Sequence, residues 1–358
     1  FSIFKAPRCL APLRGVWLSR LTKEHRACHC EEAKPTRQSR EETASVTRLP
    51  RRCAPRNNNV FLRGHVALWS AALLLTLIGC GTEPQPVEPA LFERLSEERT
   101  GVAFTNTVEN DTTLNIINYL YFYDGGGVAA GDLDGDGLAD LYFTASDGPN
   151  RLYLNRGNLR FEDVTEQAGV AGSGDWTKGV TMADVNGDGR LDIYVSNVSY
   201  LDRQGRNELF INDGDGTFTE QAAAFGLDAE GYATQAAFFD YDRDGDLDVF
   251  LLNHSVHAED TFGRAGLRTE RSPRAGDRLL RNDDGYFVDV SEEAGIYGGV
   301  VGYGLGVAVS DLDRDGWPDI YVANDFHDND NQYFNNGDGT FTESVREAMP
   351  HGSYSAMG

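Results

Sequence analysis

The stretch DLDGDGLAD (132–140) decides the fold, because the same pattern returns three more times along the chain. It recurs as DVNGDGRLD (184–192), DYDRDGDLD (240–248) and DLDRDGWPD (311–319). Each copy has Asp or Asn at positions 1, 3, 5 and 9 and Gly at position 6. Oxygens at alternating positions of a tight loop converge on one point, and glycine at position 6 permits the sharp turn.

Converging oxygen ligands of this kind suit calcium, and the position-7 backbone carbonyl is expected to add a further ligand. An EF-hand is excluded, because it requires a bidentate Glu at position 12 between two helices, and position 12 is apolar in all four copies. We therefore predict about four structural Ca²⁺ ions. The predicted ligands are Asp132, Asp134, Asp136, Leu138 and Asp140; Asp184, Asn186, Asp188, Arg190 and Asp192; Asp240, Asp242, Asp244, Asp246 and Asp248; and Asp311, Asp313, Asp315, Trp317 and Asp319.

The residues around each loop are typical of β-strands. The stretch that follows each loop, such as IYVSN (193–197), is rich in β-branched and aromatic residues and is short enough for a strand. Two further shared elements come next, such as NELFIND (207–213) and GTFTEQA (216–222), and another apolar stretch precedes each loop. Four strands per repeat predict an all-β fold, a β-propeller of four-stranded blades.

At these motifs the chain resembles the FG-GAP/VCBS repeat proteins, whose blades are similar to those of the integrin α-subunit propeller. More narrowly it resembles the bacterial relatives of cartilage acidic protein, the ASPIC/UnbV-type family, over about residues 91–358. The resemblance implies a ring of about seven blades with calcium between strands 1 and 2. About four blades are present, without the ASPIC/UnbV region, so we expect the natural protein to continue beyond residue 358. Asn186, a neutral donor where the family has Asp, is expected to bind calcium less tightly.

The first part of the chain differs from the rest in charge and cysteine content. The formal net charge is −24 overall, but residues 1–79 carry +9 and residues 80–358 carry −33. All five cysteines lie at or before Cys80, so the remainder can hold no disulfide, thiolate metal site or cysteine nucleophile. A surface this acidic repels phosphate backbones, which argues against nucleic-acid binding.

An apolar run, VALWSAALLLTLI (66–78), ends in the sequence LIGC (77–80). It is short for a membrane span and fits a secretory signal, and LIGC resembles a bacterial lipobox in which Cys80 receives the lipid. A buried core helix with a chance cysteine is the alternative. We predict an exported bacterial lipoprotein at the outer membrane or cell surface. The predicted segments are an over-extended leader (1–59), a lipoprotein signal peptide (60–80), a tether (81–90) and an incomplete propeller (91–358).

The loops between strands 2 and 3 are expected on the face opposite the calcium loops, because strands within a blade alternate in direction. Four polar residues of these loops are candidates for a second metal site or an acid/base cluster. Arginines of the enlarged third loop are candidates for docking the carboxylate or sulfate of an acidic glycan. The first group is His254, His257, Asp325 and His327, and the second is Arg264, Arg268, Arg271 and Arg274.

Two functions are compatible with these features. The first is a lipid-anchored, calcium-stabilised propeller that binds a surface protein or an acidic glycan and is attached to the membrane through Cys80. The alternative is a polysaccharide lyase or hydrolase with its site among His254, His257 and His327. The sequence contains no nucleophile elbow, phosphate loop or zincin helix that would favour an enzyme. A dockerin-like module is excluded, because strands flank the loops.

Overall fold

The computed structural model describes residues 3–5, 92–256, 265–325 and 329–349. The chain divides into two compact units, one comprising Phe1–Phe4 with Arg94–Gly358 and the other comprising Lys5–Glu93. The predicted signal peptide, its Cys80 and the tether lie outside the described residues. Among the described residues, no helix has the length and apolar character needed to cross a membrane.

Each Asp-rich repeat forms one antiparallel four-stranded sheet, in which neighbouring strands follow one another in sequence. The predicted all-β fold with four four-stranded blades is therefore confirmed. The strands are β1 (Ile3–Lys5) and β2 (Glu93–Leu95); β3 (Val128–Gly131), β4 (Asp140–Phe143), β5 (Arg151–Asn155) and β6 (Phe161–Asp163) in sheet 1; β7 (Thr177–Ala183), β8 (Asp192–Asn197), β9 (Glu208–Asn212) and β10 (Phe218–Glu220) in sheet 2; β11 (Ala233–Phe239), β12 (Asp248–Asn253), β13 (Arg278–Asp283) and β14 (Tyr286–Asp289) in sheet 3; and β15 (Gly304–Ser310), β16 (Asp319–Asn324), β17 (Asn331–Asn335) and β18 (Phe341–Glu343) in sheet 4.

The sheets pack face to face, and their second strands show why. Successive side chains of a strand point to opposite faces. In β8, Ile193 and Val195 pack in the core shared with sheet 1, whereas Tyr194 packs in the core shared with sheet 3. A strand that is covered on both faces buries every residue, which accounts for the continuous apolar run after each Asp-rich loop.

The first strand of each sheet is the inner strand. β7 lies against β3 and β11, and β11 also lies against β15. The Asp-rich loops connect first to second strands and therefore share one side of the assembly. The loops between second and third strands lie on the other side, which we call the loop face.

Short helical turns follow several outer strands, and the strand pattern does not predict them. They are α1 (Glu97–Thr100), α2 (Thr165–Ala168), α3 (Ala222–Phe225) and α4 (Val345–Ala348), and a 3₁₀ turn covers Ala265–Arg268. The first three end at a glycine in the left-handed conformation. The segment β2–α1–Gly101 therefore has the same form as β6–α2–Gly169, so residues 93–101 resemble the end of a repeat.

Residues 106–124, before sheet 1, contact all four sheets on the loop face. Asn106 hydrogen-bonds Ser146 of the loop that follows β4, and Tyr119 stacks edge-on against Trp176 beside β7. Tyr119 also hydrogen-bonds His254 after β12, at 2.8 Å. This segment therefore covers part of the surface on which the sequence places its ligand candidates.

Candidate metal centres and the opposite face

The Asp-rich loops have a backbone that only a few residue types adopt easily. Position 6 is a glycine with positive φ in all four loops, for example 83° at Gly137 and 103° at Gly245. Position 4 is also left-handed, with glycine in the first two loops but Arg243 at 63° and Arg314 at 68° in the others. Non-glycine residues pay a conformational cost in this region, so the third and fourth loops are more strained than the first two.

Backbone amides hold the Asp side chains of these loops in place. In the first loop, the Gly137 N–H donates to Asp132 Oδ2 at 2.9 Å and the Leu138 N–H donates to Asp136 Oδ1 at 2.8 Å. The other three loops have the same two bonds, with distances of 2.8 to 3.2 Å. The amides thus hold the carboxylates of positions 1 and 5 inside the turn. Without these hydrogen bonds, electrostatic repulsion would drive the carboxylates apart.

The position-9 aspartate joins each loop to the sheet. Asp248 is fully buried, and its two oxygens accept the N–H groups of Tyr241 at 3.0 Å and Asn282 at 2.9 Å. The equivalent pair of bonds is made by Asp140, Asp192 and Asp319. A buried carboxylate is costly unless it is hydrogen-bonded, so position 9 has a structural role besides its predicted one as a ligand.

The predicted ligands converge in three of the loops without any further residue. Carboxylate oxygens lie within 4.8 Å of one another in each of three triplets of Asp residues. These triplets are Asp132, Asp134 and Asp136; Asp240, Asp242 and Asp248; and Asp311, Asp313 and Asp315.

The third loop has the strongest concentration of negative charge. Asp240 Oδ1 and Asp246 Oδ1 are buried and have no hydrogen-bond partner. Burial, followed by the neighbouring Asp244 carboxylate, raises the pKa of Asp246 to about 6. Burial raises the pKa of Asp248 to about 7, although two backbone N–H groups act in the opposite direction. Oxygen atoms left without a donor fit a hard cation such as Ca²⁺, for which Asp240, Asp242 and Asp248 are the residues in place.

The second loop is different, because a residue of the loop itself supplies positive charge to one of its carboxylates; in the first loop the guanidinium beside Asp134 comes from Arg156, outside the loop. Arg190 at position 7 places Nη2 2.5 Å from Asp188 Oδ2, and its Nε donates to the Asn212 carbonyl at 3.2 Å. Position 3 is the neutral Asn186, whose amide also donates to Asp188. With one carboxylate fewer and one guanidinium attached, this loop is the weakest of the four candidates.

Sequence comparison agrees with the architecture of these loops. Residues 132–195, 198–251 and 311–358 match the family model of the FG-GAP-like repeat. These segments of the chain are FG-GAP-like repeats. The chain is 29% identical over 240 residues to cartilage acidic protein 1 of Xenopus tropicalis, which is 65% of this chain and 33% of that protein. The human cartilage acidic protein 1 is 32% identical over 142 residues, which is 38% of this chain and 21% of that protein.

The chain therefore spans about a third or less of these curated relatives. Among solved structures it is similar to a lectin of Agrocybe aegerita that recognises non-reducing terminal N-acetylglucosamine. That similarity has 19% identity and a TM-score of 0.28 and covers 60% of this chain and 64% of the lectin. A score this low has no bearing on the fold or on function.

On the loop face of the FG-GAP repeats, His254 is part of the interior. It is fully buried, its Nε2 lies 2.8 Å from the Tyr119 hydroxyl, and its Nδ1 lies 2.9 Å from Thr234 Oγ1. Both ring nitrogens are thus hydrogen-bonded within the protein, Nε2 to residues 106–124 and Nδ1 to β11. Asp325 is also buried and accepts from the Tyr121 hydroxyl at 3.5 Å. The other two candidates, His257 and His327, lie outside the described residues, and the proposed cluster stays a prediction.

The described arginines of the enlarged third loop are bound within the protein. Arg268 hydrogen-bonds Asn331 and lies 5.1 Å over the Tyr297 ring. Arg271 donates to the Ile296 carbonyl at 2.8 Å. These contacts attach the loop to sheet 4 and to the segment that precedes it, and binding of an acidic glycan would have to compete with them.

Arg274 makes the corresponding contacts to sheet 2. It donates to the Ser199 carbonyl at 2.9 Å and to Glu230 at 3.1 Å. The remaining candidate, Arg264, lies outside the described residues. Binding of an acidic glycan by these arginines stays a prediction.

Proposed function

We propose that this chain is a calcium-stabilised β-propeller that acts as a binding module at the cell surface. FG-GAP-repeat blades are typical of adhesion-like modules, which supports the binding role. Attachment through a lipid on Cys80 is supported by the apolar run and the LIGC sequence that precede the propeller. Catalysis has less support, since His254 is bonded to Tyr119 and Thr234 on both ring nitrogens.

One observation carries the calcium part of the proposal, namely the buried, unpartnered oxygens of Asp240 and Asp246 in the third loop. Burying such an atom without a donor costs about 1–3 kcal/mol. Calcium supplies the positive charge that these oxygens lack. Because its ligands come from one turn that joins an inner strand to a fully buried strand, the ion would fix both strands of the sheet. Calcium binding would thereby add directly to the free energy of unfolding.

Calorimetric titration of the chelator-treated full chain with CaCl₂ tests this proposal, together with melting curves in calcium and in EDTA. At a calcium concentration about 100 times the dissociation constant, each site adds about 2.7 kcal/mol. In a domain of this size that raises the melting temperature by about 5–10 °C. Asp240→Asn should remove part of this shift. Asp215→Asn is the control, because Asp215 lies in a turn on the same side but outside the Asp-rich loops. A melting temperature that EDTA does not change would refute the proposal.

Membrane attachment is tested separately by expressing the chain with Cys80→Ser in a bacterial host. The unchanged chain should incorporate a labelled fatty acid and sediment with membranes, and the variant should do neither. Labelling that persists in the variant would show that Cys80 is not the site of attachment.

A further inference from the structure

A polar groove of about 620 Å³ opens on the loop face between sheets 2 and 3. Its walls come from the segment before β7 (Ser173 and Gly174), from the loop after β8 (199–207) and from Arg274 of the enlarged loop. Its volume is in the range of sites that hold small organic ligands. None of the residues singled out from the sequence, apart from Arg274, lies in its wall.

Glu208 forms part of the groove and is 94% buried, with 6% of its surface exposed. Its Oε1 accepts the N–H and the hydroxyl of Ser173, both at 2.8 Å, and its Oε2 accepts from the Asn197 amide at 3.1 Å. Each carboxylate oxygen has two lone pairs, so Oε2 keeps capacity for a further donor. A buried carboxylate with only neutral partners is an unusual group to place beside an open cavity.

The fold itself does not require an acid at this position. In the register of strand pairing, Glu208 lies opposite Val195, and the equivalent residues of the other sheets are Arg151, Arg278 and Asn331. All four sheets form with these different residues. The strand would form without this carboxylate, and we therefore attribute to Glu208 a role in binding.

Two of the three arginines of the groove pair with carboxylates of the same groove, and the third, Arg203, lies 3.8 Å from Asp147 outside it. Arg206 pairs with Asp228 at 3.0 Å and with Glu230 at 3.6 Å, and Arg274 pairs with Glu230 at 3.1 Å. Three arginines face four carboxylates in the wall as a whole. An anionic ligand would therefore meet a slight excess of negative charge. A cationic ligand would meet Asp228 and Glu230 already paired with arginines, and Glu208 already bonded to neutral donors.

Most of the wall is polar, and its aliphatic side chains are Ala223 and the half-exposed Leu201. A ligand for this groove must therefore be polar and uncharged, and it must offer many hydrogen-bond donors and acceptors. Sugar hydroxyl groups have both properties. We propose that the groove binds neutral sugar residues of a glycan, with Glu208 accepting hydroxyl hydrogen bonds and Arg206 donating them. This proposal rests on the proposed binding function and names its ligand class.

The test uses the full chain in calcium on an array of neutral and sulfated oligosaccharides, with an arginine-rich peptide as a further probe. The neutral oligosaccharide that binds most tightly is then titrated into the protein by calorimetry. Glu208→Gln should weaken its binding at least tenfold, because an amide nitrogen replaces one of the acceptor oxygens. Arg206→Ala, a change at the exposed rim, should weaken binding without loss of folding. Glu162→Gln, in the outer strand of sheet 1, is the matched control and should bind as the unchanged chain does.

Each other outcome overturns the inference. The first such outcome is that the chain binds only sulfated glycans or only the peptide. The second is that it binds no neutral sugar. The third is that it binds a neutral sugar but neither Glu208→Gln nor Arg206→Ala weakens the binding. Calcium titration of the same samples distinguishes this failure from failure of the proposed propeller function. If the chain binds calcium but no sugar, the proposed calcium-stabilised propeller stands and only the proposed ligand is refuted.

Discussion

The contact between successive blades provides a graded test of the structure. Four glycines at the end of the segment after an outer strand share one backbone conformation, with φ between 75° and 80°. Each lies against the carbonyl oxygen of a phenylalanine in the outer strand of the following sheet. The pairs are Gly101 with Phe161, Gly169 with Phe218, Gly226 with Phe287 and Gly295 with Phe341.

Substitution by alanine should therefore destabilise the protein to different extents at the four positions. A methyl group would lie 3.6 Å from the carbonyl oxygen at Gly169, 3.0 Å at Gly295 and 2.8 Å at Gly226, and it would overlap most at Gly101. The left-handed backbone costs about 1–2 kcal/mol for alanine at every one of them. Overpacking adds about 1–3 kcal/mol where the added carbon is too close. Gly169→Ala should thus lose about 1–2 kcal/mol, and Gly101→Ala about 2–5 kcal/mol.

Urea unfolding of the full chain in calcium measures these differences. The shift in the urea concentration at the unfolding midpoint gives the change in stability when the dependence of the unfolding free energy on urea is unchanged. The expected order of destabilisation is Gly101→Ala, then Gly226→Ala, Gly295→Ala and Gly169→Ala. Gly285→Ala is the control for backbone strain alone, because Gly285 has a φ of 91° and no atom within 4 Å of an added carbon. Four equal losses, or a largest loss at Gly169, would refute this packing of successive blades.

Three further changes test other parts of the structure. Arg314→Gly should stabilise the protein by about 1 kcal/mol, since glycine adopts the left-handed position 4 without strain, and differential scanning calorimetry measures the gain. Arg190→Ala should strengthen calcium binding at the second loop, because it frees Asp188 from the guanidinium, and the change is read from calcium titration. Asp124→Asn should cost about 3 kcal/mol in urea unfolding, because it leaves the buried ammonium of Lys178 without its carboxylate.

Each of these changes has an outcome that would contradict it. A lower melting temperature for Arg314→Gly would mean that the side chain contributes more than the strain costs. Unchanged calcium affinity for Arg190→Ala would show that the guanidinium does not compete with the ion. Recovery of stability in the double variant Lys178→Ala with Asp124→Asn is expected, and its absence would place the loss in packing instead of in the ion pair.

The sequence determined the blades and the calcium candidates because both are local. A strand such as IYVSN (193–197) needs only its own alternation to be recognised, and all ligands of a loop such as 240–248 lie within nine residues. The amides that orient Asp240 belong to the same turn. The resemblance to FG-GAP repeats follows from the same short-range pattern, which the comparison with the family model confirms.

The loop face was decided only by the tertiary structure. His254 bonds to Tyr119, which is 135 residues earlier in the chain, and Arg274 bonds to Ser199, which is 75 residues earlier. These hydrogen-bond partners depend on which blades and loops pack together, and a local sequence pattern does not show which ones do. Glu208 shows the same limit, because its carboxylate becomes notable only when the register aligns it with Arg151 and Arg278. Short-range geometry can be read along a chain, whereas contacts between distant segments depend on how the whole fold brings them together.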